Sequence, residues 1–233
     1  VGGTLALLAA ARDAGVRRVV QASSSAVYGD LQRVPHREDR TGAPLSPYAL
    51  TKLQAEEWGD LFGRVYGLEV VGLRYFNVFG PRQHPRGAYA AVIPAWTRAL
   101  LRGEPCVVHG DGSTTRDLVP VADVVQANLL AAVTELPSGA RVFNVGTGRS
   151  TSLGELFRLL RDVAGALHPC ARFALPLYDA QRQGDVHDSR ADISSITAVL
   201  GYRPSTDLGP AIARTVRWHT QELRIRATGA ATG

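Results

Sequence analysis

The stretch "SPYALTKLQAEEWGDLFGRVYGLEVVGLR" (46–74) reads as a helix feeding a strand, and that order sets the class of fold. Ser46 followed by Pro47 is an N-cap with proline at the first helical position, where a missing N–H costs nothing. Beyond it, good helix formers carry apolar residues at Leu50, Leu53, Trp58, Leu61 and Phe62, a stripe that predicts a helix over 46–66. "LEVVGLR" (68–74) is a β-branched run of strand length. Upstream, 4–14 predicts a helix ended by Gly15, and "VRRVVQAS" (16–23) a buried strand. Downstream come a helix over 91–102, a strand around Cys106–His109, the turn "GDGST", an amphipathic helix over 121–136 and a strand over 140–146. Ser152 with Glu155 forms a capping box for a helix over 153–167, and Asp192 opens a helix closed by Gly201. Residues 24–45 and 75–89 read as loops, and "RATGAATG" at the end as a frayed tail. Strands alternating with helices imply an α/β protein with a parallel sheet.

Composition narrows the function. The chain of 233 residues is 45% apolar and 20% charged, ordinary for a globular protein. No apolar run reaches the ~18 residues of a membrane span, and no signal-peptide pattern opens the chain. Cys106 and Cys170 match no metal or redox spacing, which predicts two buried or idle thiols in a reducing, cytoplasmic compartment. The six histidines are scattered, against a metal enzyme. A net charge of +5 invites a nucleic-acid reading, but the arginines are dispersed and do not alternate with aromatics, so a small anionic ligand gripped by a few arginines fits better.

The chain holds 25 arginines and one lysine, Lys52. Tyr48 lies four residues before it, on the same helix face. An ammonium beside a phenol, at the positive end of a helix, favours the phenolate. Lysine offers a compact charge on a flexible stem where arginine offers a broad planar fork. A Tyr-x-x-x-Lys pair is therefore a proton-transfer device, although the same spacing also occurs on ordinary amphipathic helices.

Five motifs occur in order: "VVQASSSAVYGD" (19–30), "SPYALTK" (46–52), "LRYFNVFGPRQ" (73–83), "GDGSTTRDLVPVADV" (110–124) and "FNVGTG" (143–148). Together they resemble the extended short-chain dehydrogenase/reductase family of NAD-dependent nucleotide-sugar epimerases and dehydratases, with the nearest likeness to UDP-N-acetylglucosamine 4-epimerases. The resemblance implies the C-terminal part of a Rossmann-like sheet over 1–74 and a smaller substrate-binding α/β subdomain over 75–226. Helix 121–136 and strand 140–146 would return to the sheet, leaving a tail at 227–233. It implies NAD as cofactor, a UDP-sugar as substrate, a homodimer, a place in polysaccharide biosynthesis, and neither nucleic acid nor membrane as partner.

By the same resemblance Tyr48 takes the proton of the sugar 4-hydroxyl, Lys52 holds the nicotinamide ribose, and Ser24, with Ser25 next, relays or stabilises the proton. Ser23 and Tyr75 would touch the cofactor. Asn77, Gln83, Ala91 and Val92 would line the substrate, and Arg116 and Arg182 would clamp its diphosphate. Ser189 stands where relatives restricted to UDP-glucose resemble a bulky tyrosine, leaving room for an acetamido group at C2. A dehydratase would need an acid and a base where this sequence holds Ser25 and Ala26, which cannot protonate a leaving group. A UDP-glucuronate epimerase or decarboxylase remains open through Arg82 or Arg86, as does a non-catalytic nucleotide-binding fragment. The family's glycine-rich pyrophosphate turn is absent from these residues, so the sequence is expected to be the downstream part of a longer enzyme and inactive alone.

Overall fold

The computed structural model describes residues 1–84, 91–136, 140–181, 186–205 and 207–229. Helix α1 (Gly2–Asp13) precedes strand β1 (Arg18–Ser24), helix α2 (Pro47–Tyr66), strands β2 (Glu69–Tyr75) and β3 (Asn77–Phe79), and helix α3 (Val92–Arg102). Strands β4 (Cys106–His109), β5 (Thr115–Arg116) and β6 (Leu118–Pro120) lead into helix α4 (Val121–Val133) and strand β7 (Ala140–Val145). Strand β8 (Thr151–Ser152), helix α5 (Leu153–Leu167), strand β9 (Pro176–Asp179), and helices α6 (Ser194–Leu200) and α7 (Leu208–Gly229) follow.

The main sheet is three parallel strands in the order β1-β2-β7. Its central strand is buried on both faces, and alternation divides its side chains between them. Val70 packs with Phe62 of α2 and Leu8 of α1, whereas Val71 and Leu73 meet Val124, Ala127 and Ala131 of α4 on the opposite face. Gly59 lets α2 approach the sheet, because a Cβ there would stand 2.8 Å from Val70 Cγ1. A separate buried cluster joins α3, α5, α7, β4 and β6 through Trp96, Leu100, Val108, Leu118, Phe157 and Ile212. β4 pairs with β9, β3 with β6, and β5 with β8.

The caps read from the sequence are present: Ser46 accepts the Ala49 N–H, and Ser152 and Glu155 satisfy each other's backbone. Several elements differ from expectation. The segment expected as a loop from 75 contains β3, whose partner β6 lies some forty residues away and leaves no local trace. The helix α7 runs to Gly229, through the start of the expected tail at 227, and 230–233 lie outside the described residues. Cys106 is buried, with burial pushing its thiol up to about 11, but Cys170 is exposed rather than buried.

One buried ionic network fixes α2 against the sheet. Arg74 of β2 grips Glu56 of α2 with two bonds, Nε to Oε1 at 2.9 Å and Nη2 to Oε2 at 2.8 Å. The Ser23 hydroxyl of β1 donates to the same carboxylate, and Ser23 pairs with Arg74 across the sheet. Arg74 Nη1 also donates to the Tyr28 hydroxyl at 3.1 Å, which donates to Asn144 Oδ1 of β7 at 2.5 Å. Both ionic side chains are nearly inaccessible, at 4% and 6% exposure. Removing one partner strands a buried charge, at about 3–5 kcal/mol, while replacing both with apolar residues is tolerated. Glu56→Ala should therefore lower the unfolding free energy measured in urea by that amount, and Glu56→Met with Arg74→Met should recover about half of it or more. A loss below about 1 kcal/mol for the single variant would show the pair to be energetically idle.

Candidate active site

Ser24, Tyr75 and Val145 stand in register at the C-terminal ends of the three parallel strands, where open α/β sheets place their ligands. Tyr48 lies in the first turn of α2 beside those ends, with 49% of its surface exposed. One turn on, Lys52 Nζ donates to the Ala22 carbonyl at 2.8 Å and stands 5.7 Å from the centre of the Tyr48 ring. That bond uses one of three ammonium donors and leaves two for a ligand. Ser24 ends β1 and caps the 3-10 turn Ser25–Tyr28, its oxygen accepting the Ala26 N–H at 3.2 Å. Its hydroxyl proton thus remains available to donate.

Two cavities adjoin these groups. The larger, about 940 Å³, is lined among others by Tyr48, Asn77, Gln83, Ala91, Val92 and Arg116. The smaller, about 370 Å³, is lined by Ser24, Ser25, Tyr28, His36, Asn77 and Ser189, and again by Arg116. Phe76, Asn77 and Arg116 belong to both, so the two spaces share a wall. Arg116 Nη1 donates to the Thr115 and His187 carbonyls. Gln83 is oriented by a 3.1 Å bond from its amide nitrogen to the Val78 carbonyl.

Other expected residues fall elsewhere. Ser23 is buried, because strand alternation sends it to the face opposite Ser24, and its hydroxyl goes to Glu56. Tyr75 lines neither cavity: its hydroxyl exchanges bonds with the Asn128 amide of α4. Arg82 is exposed and lines neither cavity, while Arg182 and Arg86 lie outside the described residues. Among the described residues no three His, Cys, Asp or Glu side chains gather as a metal site.

Sequence reasoning missed His36, Asp117 and the network beneath the site. His36 stacks on Tyr28 with centroids 4.5 Å apart and planes 9° from parallel. Asp117, fully buried, accepts from the Thr147, Gly148 and Ala191 backbone, tying the motif around 110–124 to "FNVGTG" and to the segment after Ser189. Burial pushes its carboxyl above the usual range even though those donors pull it down. The only available signal for Asp117 was the proximity of two motifs, and for His36 there was none.

Comparison with known proteins places these features in a family. Residues 1–146 match the model of the NAD dependent epimerase/dehydratase family. The chain is 40% identical over 219 residues to a UDP-glucose 4-epimerase of Mycolicibacterium smegmatis, covering 94% of this chain and 67% of that protein. It is 35% identical to UDP-glucuronate 4-epimerase 2 of Arabidopsis thaliana, covering 86% and 48%. A UDP-N-acetylglucosamine 4-epimerase from Methanobrevibacter ruminantium M1, solved with UDP-N-acetylmuramic acid, superposes with a TM-score of 0.89 at 36% identity, over 95% of this chain and 69% of the other.

The site carries its own pH signature. Burial lowers the pKa of His36, and its Nδ1 has no hydrogen-bond partner. The folded chain therefore holds the ring neutral where the unfolded chain, titrating near ~6.5, takes up a proton. Stability from this residue is complete above that value and is lost as pH falls from it toward the folded value. Burial sets the same sign for His219. His36→Phe keeps the stack and removes the titration, so its urea midpoint should fall less between pH 7 and pH 5 than that of the parent. Parallel pH curves for the two would refute this assignment.

Proposed function

The chain belongs to the NAD dependent epimerase/dehydratase family, and we propose that its site inverts C4 of a UDP-sugar, with UDP-GlcNAc and UDP-GalNAc as the preferred pair. The observation that carries the reading is the convergence of Tyr48, Lys52 and Ser24 on the strand ends beside two cavities that share Asn77 and Arg116.

The donor set suits the nicotinamide-ribose end of NAD. Lys52 has two ammonium donors left beside the exposed Tyr48 phenol, which matches a ribose diol. No glycine-rich turn between a strand and a helix occurs among the described residues to cradle the pyrophosphate. NAD, when bound, supplies the acceptor and donor of the C4 hydrogen. Tyr48 removes the proton of the 4-hydroxyl and returns it after the sugar has turned, a role its place at the helix N-terminus supports. Ser24 donates its free hydroxyl proton to the sugar oxygen, holding it during the exchange. Lys52 keeps a positive charge beside the phenol throughout. Arg116, on the shared wall, is placed to hold a diphosphate between a nucleoside in the larger cavity and a sugar that spans from Tyr48, on the larger cavity, to Ser24 and Ser189, on the smaller one. Ser25 and Ala26 supply no acid–base pair, which speaks against dehydration. Ser189, 9% exposed in the smaller cavity, supports an acetamido-bearing sugar, because its small side chain leaves volume there.

Tyr48→Phe in the full-length protein should lower kcat by ~10²–10⁴-fold while UDP-sugar binding persists. Turnover near that of the parent would remove Tyr48 from the mechanism. Ser189→Tyr places a ring where the acetyl group would sit, and overpacking of this kind costs ~1–3 kcal/mol, about 5- to 150-fold in discrimination. The kcat/KM for UDP-GlcNAc and UDP-GalNAc should drop by that factor with UDP-glucose and UDP-galactose spared. Equal losses on all four sugars would make Ser189 a merely structural residue.

A further inference from the structure

The wall that carries Ser189 is held from outside by a polar chain to which the reading above gives no role. Thr115 of β5 donates its N–H to the His187 carbonyl at 2.9 Å and its hydroxyl to Asp188 Oδ1 at 2.6 Å. The His187 ring lies between two partners, Nδ1 at 3.1 Å from Asp188 Oδ2 and Nε2 at 3.3 Å from Ser113 Oγ. Ser113 in turn stands 2.5 Å from Asp111 Oδ1, which also accepts its backbone N–H.

Counting protons shows which state this arrangement suits. An ionised carboxylate only accepts, so the single Ser113 hydroxyl proton is committed to Asp111. Nε2 can then bond to that oxygen only by donating. Nδ1 likewise bonds to Asp188 only by donating. A neutral imidazole carries one N–H and can make one of these contacts, whereas the imidazolium makes both. The continuous chain Asp188–His187–Ser113–Asp111 is thus complete only when the ring is doubly protonated.

We propose that His187 and Asp188 form a proton-dependent clasp that positions the Ser189 wall of the smaller cavity. The inference rests on reading that cavity as the sugar's pocket, since Val186 and Ser189, on either side of the clasp, both line it. The charged groups facing the ring among the described residues are Asp188 on its own segment, Asp111 on the turn before β5, and Arg116 on β5, whose Nη1 lies 3.3 Å from the His187 carbonyl. Both carboxyls sit below their usual range. Asp188 is held there first by the Thr115 hydroxyl and then by His187, and Asp111 chiefly by Ser113. At the other end of the segment, Asp117 accepts the Ala191 N–H and the His36 backbone bonds to Arg190 and Asp192, so the wall runs between these backbone ties and the clasp. Histidine changes charge within pH 5–8, so the wall should be firm at the acid end of that range and looser at the alkaline end.

The test pairs an NMR titration with a binding titration on the full-length protein. From pH 8 to pH 5.5 the His187 ring protons and the Ser189 backbone amide should shift with one midpoint, and UDP-GlcNAc affinity by calorimetry should rise about 3- to 5-fold, the scale of one exposed charge pair. Asp188→Asn, Ser113→Ala and His187→Phe should each flatten the affinity curve and leave the Ser189 amide still. A Ser189 amide that ignores the His187 ring, or an affinity equally pH-dependent in all three variants, would overturn the clasp. Coupled NMR shifts with no UDP-sugar binding at any pH would instead uphold the clasp and overturn the assigned substrate.

Discussion

The buried pair of Glu56 and Arg74 is the constraint from which the geometry of the site follows. Tyr48, Lys52 and Glu56 lie along one face of α2 at intervals of four residues, and two of them are tied to β1 at adjacent positions. Lys52 holds the Ala22 carbonyl and Glu56 holds the Ser23 hydroxyl, so a slip of α2 along the sheet would break both ties and leave Arg74 charged in the interior. That penalty fixes the register of helix and strand, and with it the placement of Tyr48 and Lys52 at the end of β1. The same guanidinium reaches the Tyr28 hydroxyl, and through Tyr28 and Asn144 the turn that begins at Ser24 is bound to β7. Burial pushes the Tyr28 phenol up to about 12, so this member of the network stays a neutral donor while the exposed Tyr48 stands clear of it.

Around this rigid floor the walls come from distant parts of the chain. β3 and β6 bring Asn77 and Leu118 together, and β5 sets Arg116 where the two cavities meet. The apolar side of the larger cavity is the outer surface of the cluster around Trp96, whose indole N–H is satisfied by the Val107 carbonyl at 3.0 Å. Asp117 acts as a hub inside the wall, where one carboxylate collects three backbone N–H groups and the Thr147 hydroxyl. Shape and polarity therefore arise from different layers, with apolar packing giving volume and buried polar ties giving position.

Much of this was legible in the sequence, wherever the signal was local. The proline after Ser46, the Ser152–Glu155 box and the β-branched run before Gly72 each act within a few residues, and the corresponding elements stand within a residue or two of expectation. Motif order pointed to Tyr48, Lys52, Ser24 and Asn77 together, and the structure brings them to one end of the sheet. What the sequence did not show shares a cause. The β3–β6 pairing, the Ser23 hydroxyl turned toward Glu56 and the Tyr75–Asn128 exchange each depend on a residue far along the chain. A triple serine gives no clue to which of its members faces the core until the phase of the strand is known. The end of the chain read as a frayed tail from 227, whereas α7 continues to Gly229.

The central claim is that Tyr48 does its chemistry on the 4-oxygen of a UDP-sugar lying across the two cavities. A crystal structure of the full-length protein with NAD and UDP-GlcNAc tests it most directly. The account predicts the sugar O4 within ~2.6–3.2 Å of the Tyr48 oxygen, with the diphosphate against Arg116 and the acetamido group beside Ser189. A sugar bound with O4 turned away from Tyr48, or with the nucleotide outside both cavities, would contradict it.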